Sequence, residues 1–233
     1  GAPTPNMDRL GREGLQLLSA YSQPSCTPSR CTLLTGRLPM RHGLQRPPMY
    51  GEPGGLQGEI TLAELLSEAG YVTQAIGKWH LGPTEDQGPA AQGFERFRGT
   101  SGNLREKSGA NAYFDFKERT GLSVETSSRR RYATSAVVDD ALEAIVDFDD
   151  DPWLVIASFH AGHTPFHAPP AGLHQRPLKG SPRASARAHF MAMVDALDAE
   201  SLQRHSDALA QVLRSAHRLP LVPPRAGLAA FSG

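Results

Sequence analysis

Apolar and polar positions along the chain switch between a helical and an extended period, and the switches predict an ordered run of helices and strands. Residues 6–13 follow Thr4-Pro5 and end at Gly14, so a capping residue, a first-turn proline and a terminal glycine bracket a short helix. Residues 15–22 then read as a strand. A second helix is expected over 28–35, with Cys26 and Thr27 at its mouth, Gly36 as its stop and Pro39 barring extension. Thr61-Leu62-Ala63-Glu64 spells a capping box that opens a helix with Leu62, Leu65, Leu66 and Ala69 on one face, stopped by Gly70. Residues 71–76 read as a buried strand. Ala136, Val137, Ala141, Leu142, Ile145 and Val146 give 132–148 a helical stripe, and the unbroken apolar run 153–159 reads as a strand buried on both faces. From 184 to about 216 the pattern is one long or broken helix, with Phe190, Met193, Val194 and Leu197 on a stripe and then Leu202, Leu209 and Leu213. The span 77–131 lacks a period and is expected to be mostly loop, with at most a small hairpin near 113–116. Alternating helix and buried strand is the pattern of an α/β sandwich, and no repeat or linker divides it.

Composition narrows the function classes. Lys plus Arg number 24 against 24 for Asp plus Glu, with only 7% aromatics, which disfavours a nucleic-acid footprint of clustered bases and stacking rings. The longest apolar run falls far short of the roughly 20 residues needed to span a bilayer, so no membrane span is expected. Gly 23 and Pro 19 point to abundant loops, as a loop-built active site would need. Cys26 and Cys31 are the only cysteines, which excludes a disulfide framework and a cysteine-rich metal site. The opening Gly-Ala-Pro-Thr-Pro stretch leads us to expect that upstream sequence is missing. Arg129 to Arg131 reads as a solvated run, and Asp149 to Asp151 as a loop whose successive carboxylates diverge.

The chemistry concentrates in two blocks. Cys26-Thr27-Pro28-Ser29-Arg30 followed by Leu34-Thr35-Gly36-Arg37 resembles the first sulfatase signature, and Gly70 to Gly82, with Gly77-Lys78-Trp79-His80, resembles the second. Weaker likeness extends to Thr4-Pro5-Asn6-Met7-Asp8-Arg9-Leu10, to His160-Ala161-Gly162-His163-Thr164-Pro165 and to the Phe190 to Asp198 helix. The resemblance covers about 1–198 and leaves 199–233 as a divergent tail. It implies a partial arylsulfatase-like catalytic domain over 1–233, incomplete at both ends. The implied fold is an alkaline-phosphatase-like α/β sandwich with a mixed, mainly parallel sheet between helices.

The resemblance also implies the reaction. Cys26 would be oxidised by a formylglycine-generating enzyme to an aldehyde whose hydrate attacks the sulfur of a small-molecule sulfate ester. A helix N-terminus behind it would face the developing negative charge. By the same resemblance Arg30 would hold the diol, Lys78 would bind sulfate oxygens and His80 would assist collapse of the sulfated intermediate. His163 would contact the ester and help the alkoxide leave, with His160 and His167 as rivals. Calcium is implied too, with formylglycine at Cys26 as one ligand and an Asp-Asp and an Asp-Asn pair as the others. Neither pair stands at its expected place, so weak metal binding and low turnover are expected of this chain by itself. Two alternatives stay open: a phosphonate or phosphate ester hydrolase using the same nucleophile, and a catalytically incomplete remnant.

Overall fold

The computed structural model describes residues 2–48, 52, 54–56, 58–104, 111–121 and 125–200. Helix α1 (Pro5–Glu13) and helix α2 (Cys26–Thr35) are followed by the single-turn α3 (Pro39–His42) and by α4 (Leu62–Glu68). Strand β1 (Val72–Lys78) leads to β2 (Arg96–Thr100), β3 (Phe116–Thr120) and β4 (Ser127–Arg129), then α5 (Ala133–Asp147), β5 (Trp153–Ser158) and α6 (Ala186–Asp198).

Among the described residues five strands form one sheet in the order β4-β3-β2-β1-β5. β1 runs parallel to both β2 and β5, whereas β3 joins β2 and β4 antiparallel. The sheet is therefore mixed, as the resemblance implied. Alternation along each strand divides the core in two. On one face Ala75, Leu154 and Ile156 pack with Cys31 and Leu34 of α2 and Ala63 of α4. On the other Ile76, Val72, Trp153 and Val155 pack with Val137, Ala141 and Ala144 of α5. A third cluster, around Tyr113, Tyr132, Met193 and Ala196, seats α6.

Capping explains where the helices begin. Thr61 Oγ1 accepts from Glu64 N at 3.1 Å while the Glu64 carboxylate accepts from Thr61 N at 2.7 Å, the box read from sequence. α1 is capped from a distance: the buried Asp198 carboxylate accepts from the backbone N–H groups of Asn6 and Met7 at 3.1 and 2.9 Å. Nothing local in the sequence encodes that pair.

Several expectations are corrected. Residues 15–22 form no strand; Leu15 and Leu18 are 85% and 91% exposed, and an apolar strand gains nothing without a partner and a face to bury. The 77–131 span carries β2, β3 and β4, and the β3–β4 pair lies beyond the small hairpin expected near 113–116. These strands were hidden by their charges, for Arg98, Glu118 and Arg129 turn their side chains to one another rather than to water. Arg129 is accordingly not a solvated residue: it holds Asp140 in a bidentate pair at 2.6 and 2.9 Å. Among the described residues β5 pairs with β1 alone, and it is mostly half-buried instead of covered on both faces. α2 starts two residues earlier than expected, at Cys26 itself. On α4, Leu62 and Leu65 are exposed and Ala63 makes the buried contact. α6 buries His189, Ala192, Met193 and Ala196, a face rotated from the expected stripe because alanine permits close approach. Its expected continuation through Leu202, Leu209 and Leu213 lies outside the described residues.

Candidate active site

The carboxyl ends of β1, β2 and β5 converge beside the start of α2, the position at which open α/β sheets bind ligands. The backbones there meet closely. Gly77 (φ +87°) and Gly99 are register partners, and a Cβ on Gly99 would collide with the Gly77 carbonyl oxygen, so neither position accepts a side chain without displacement.

Cys26 is the first residue of α2, whose N-cap Ser25 supplies no side-chain hydrogen bond. Its Sγ lies 3.0 Å from His80 Nδ1. His80 follows β1 in the left-handed region at φ 60°, a conformation that costs an L-residue energy and persists where its surroundings fix it. The fixing groups are visible: His80 N donates to Ser101 O at 3.0 Å, and His80 O accepts from Thr27 Oγ1 at 2.7 Å. Thr27, adjacent to Cys26, thereby helps fix the residue whose imidazole faces the thiol.

Arg30 lies one helical turn after Cys26 and reaches back under the strand ends. Its Nη1 donates to the Lys78 carbonyl at 2.6 Å and to Ser158 Oγ at 2.9 Å, while its buried Nε has no partner among the described residues. Burial lowers its pKa, and the Cys26 side chain opposes that shift. Lys78 is only 4% exposed; burial lowers its pKa, Cys26 raises it and Arg30 lowers it again. The site thus gathers a thiol, an imidazole and two cations that share one electrostatic environment.

The three histidines of the 160–167 segment part ways. His163 is exposed and its Nδ1 lies 2.9 Å from the Thr164 carbonyl. His160 is buried with Nε2 2.8 Å from Thr100 Oγ1. That hydroxyl donates to Gly102 O at 2.7 Å, so it accepts from His160 Nε2–H and leaves Nδ1 as a lone pair without a partner among the described residues. Burial, then Lys78 and Arg30, push the His160 pKa down to about 3. His167 stacks on Tyr113 at 4.0 Å between ring centroids and lies 3.3 Å from Tyr132 Oη, a core residue whose burial pushes its pKa down to about 4. Tyr113 ties the segment together, its hydroxyl lying 2.7 and 2.8 Å from the carbonyls of His160 and His163. Sequence reasoning missed Thr27, Ser158, Thr100 and Gly102; Thr27 sits inside the cysteine block, but hydroxyls and glycines at strand ends carry no signal of their own.

The donor set does not fit calcium. A hard divalent ion takes six or more oxygen ligands, several of them carboxylate, yet among the described residues the charged groups coupled to Cys26 are the cations Arg30 and Lys78. Among the described residues no group of three or more His, Cys, Asp or Glu could hold a metal ion.

The mixed α/β fold thus sets two cations and a thiol at the carboxyl ends of its parallel strands. The Sulfatase family model matches residues 1–197, and the chain belongs to that family. It is 45% identical over 98 residues to arylsulfatase G of Homo sapiens, a match covering 41% of this chain and 19% of that protein. The crystal structure of Ps i-CgsB in complex with k-i-k-neocarrahexaose superposes with a TM-score of 0.73 at 24% identity, over 91% of this chain and 50% of the other. A protein in the alkaline phosphatase superfamily from Vibrio parahaemolyticus shares the fold with a TM-score of 0.51 at 19% identity, over 92% and 45% of the two chains. The match thus spans about a fifth of the curated relative and half of the solved one. Among the described residues no helix is long and apolar enough to cross a membrane.

Proposed function

We propose that this site cleaves sulfate esters in the manner of an arylsulfatase, with a formylglycine made from Cys26 as nucleophile. The observation that carries the reading is the 3.0 Å approach of Cys26 Sγ to His80 Nδ1 at the first turn of α2, with Arg30 and Lys78 behind it. Sγ stands where an oxygen on the oxidised Cβ would stand. The oxidant and the loss of sulfur are the work of a formylglycine-generating enzyme, and water then adds to the aldehyde to give a diol.

One diol oxygen attacks the ester sulfur while the S–O bond to the alcohol breaks. His163 supplies the proton or hydrogen bond that the departing alkoxide needs. The second hydroxyl then gives its proton to His80, the bond between Cβ and the sulfated oxygen breaks, and sulfate leaves as the aldehyde returns. Lys78 binds the sulfate oxygens, and Arg30 holds the diol and balances charge beneath it.

Peptide mass spectrometry after expression beside a formylglycine-generating enzyme tests this. Conversion of Cys26 and 4-nitrophenyl sulfate turnover, both lost in Cys26→Ala, are expected; an unconverted thiol or turnover unchanged in the variant overturns the reading. Two alternatives attach to the same residues. Any tetrahedral monoanion suits two cations, so matched phosphate and phosphonate esters belong in the assay. Among the described residues neither Arg30 nor Lys78 pairs with a carboxylate, which favours low turnover, that of a catalytically incomplete form of the domain.

A further inference from the structure

Conversion to the aldehyde removes the sulfur of Cys26, yet the thiol itself stands in surroundings suited to a reaction of its own. Cys26 is a free thiol and half-buried, so reagents in solution reach it, whereas Cys31 is buried. Its Sγ lies 3.0 Å from His80 Nδ1, a ring nitrogen positioned to take the thiol proton, and the thiolate is the form of cysteine that attacks. The backbone on either side of that ring is held by Ser101 and Thr27, which keeps base and nucleophile together.

Two cations beside the thiol point to the guest. Lys78 is 4% exposed and pairs with no carboxylate among the described residues. Half-buried Arg30 uses Nη1 on the Lys78 carbonyl and on Ser158 Oγ, and its buried Nε has no partner among the described residues. Cations left in this way are costly, and oxyanion oxygens relieve them. Both interact electrostatically with the Cys26 side chain, so an anion that satisfies them lies against Sγ. A guest that fits thiol and cations together carries a tetrahedral oxyanion bonded to an atom that thiolates attack. Thiosulfate is such an ion: its sulfonate end has the size and shape of sulfate, and its sulfur–sulfur bond is of the kind that a thiolate opens.

We infer that the chain with Cys26 unconverted is a sulfurtransferase, in which the Cys26 thiolate takes the outer sulfur of thiosulfate while Lys78 and Arg30 hold the sulfonate end. His80 takes the thiol proton as Sγ attacks. The new Sγ–S bond forms, the S–S bond of thiosulfate breaks, and sulfite leaves with that electron pair. Cys26 is then a persulfide. Cyanide or a small thiol attacks its outer sulfur, the Sγ–S bond breaks, and Sγ departs with the electron pair and recovers its proton from His80. Sulfur passes from one nucleophile to another, so neither oxidant nor reductant is consumed. This activity goes beyond the hydrolase reading and does not depend on it, because conversion removes the sulfur that it needs.

The full chain, expressed without a formylglycine-generating enzyme, is incubated with millimolar thiosulfate and digested with trypsin, which cuts after Arg30 and so separates Cys26 from Cys31. The Cys26 peptide should gain the mass of one sulfur atom, sulfite should appear, and added cyanide should yield thiocyanate; Cys26→Ser should abolish all three. Sulfate should slow the transfer by competition, and chloride at equal ionic strength should not. Lys78→Gln should slow it about tenfold relative to alkylation of Cys26 by uncharged iodoacetamide, the worth of one charge-assisted hydrogen bond. Taking that ratio cancels any change in the fold or in the thiol itself. No sulfur gained at Cys26, equally fast gain at Cys31, indifference to sulfate or a ratio unchanged in Lys78→Gln overturns the inference. Sulfur transfer that persists while no sulfate ester is hydrolysed would strike the hydrolase reading and leave this one standing.

Discussion

At the scale of single residues, His160 and His167 turn neighbouring segments into a pH-sensitive part of the fold. A histidine in the unfolded chain protonates near 6.5, whereas these two resist protonation down to about 3 and about 4. Between those values the unfolded chain binds more protons, so stability is fully present above pH 6.5 and is lost as pH falls towards 4. Each histidine should add a slope of about 1.4 kcal/mol per pH unit within its window. Denaturant unfolding between pH 7.5 and 4.5 should show the loss, and proton NMR should show both rings neutral down to about pH 5. His160→Asn, which keeps a side-chain donor for Thr100, should flatten the dependence by one group's share. A ring that titrates near 6.5 in the folded chain would refute the assignment of neutral imidazoles.

At the scale of elements, local codes and distant partners divide the work. The capping box of α4 and the proline and glycine that bracket α1 were legible, because each depends on neighbours in sequence; α5 was legible as a helix, but Val146 of its expected stripe is 73% exposed. The convergence of the Cys26 block with Lys78 and His80 was legible for a different reason, the resemblance of two ordered motifs, and the structure brings the three together. β2 to β4 were not legible, since Arg98, Glu118, Arg129 and Asp140 satisfy their charges across strands and against α5 where a reading of polarity expects water. Nor was the cap of α1, which comes from Asp198, more than 190 residues away. Asp198→Ala removes that carboxylate from the two N–H groups, and hydrogen bonds to a charged acceptor are worth about 1.5–3 kcal/mol each. We expect amide hydrogen exchange to accelerate across Pro5–Glu13 by at least about tenfold while β1 and α5 stay protected. Uniform acceleration in every element would mean that Asp198 serves the whole core instead of one helix.

At the scale of the whole molecule, acidic and basic residues balance at 24 each, yet they are not evenly placed. Carboxylates pair with Arg98 and Arg129 on the β3–β4 side and against α5, whereas among the described residues Lys78 and Arg30, at the carboxyl ends of β1 and β5, form no carboxylate pair. Buried Lys78 and half-buried Arg30, whose Nε has no partner among the described residues, form a site short of negative charge, and an oxyanion supplies what it lacks. Sulfate should therefore stabilise the chain by mass action, by about 2.7 kcal/mol at a hundred times its dissociation constant, equivalent to a Tm rise of roughly 5–11 °C for a domain of this size. Chloride at equal ionic strength separates specific binding from screening. Calcium would bring more positive charge to residues that already repel it, so millimolar calcium should leave the Tm where it was and EDTA should leave the sulfate effect intact. Thermal unfolding in the four conditions decides between the two ions. A sulfate effect that appears only with calcium would mean that ligands outside the described residues complete a metal centre, and that the cations of this site act as its partners, not its substitute.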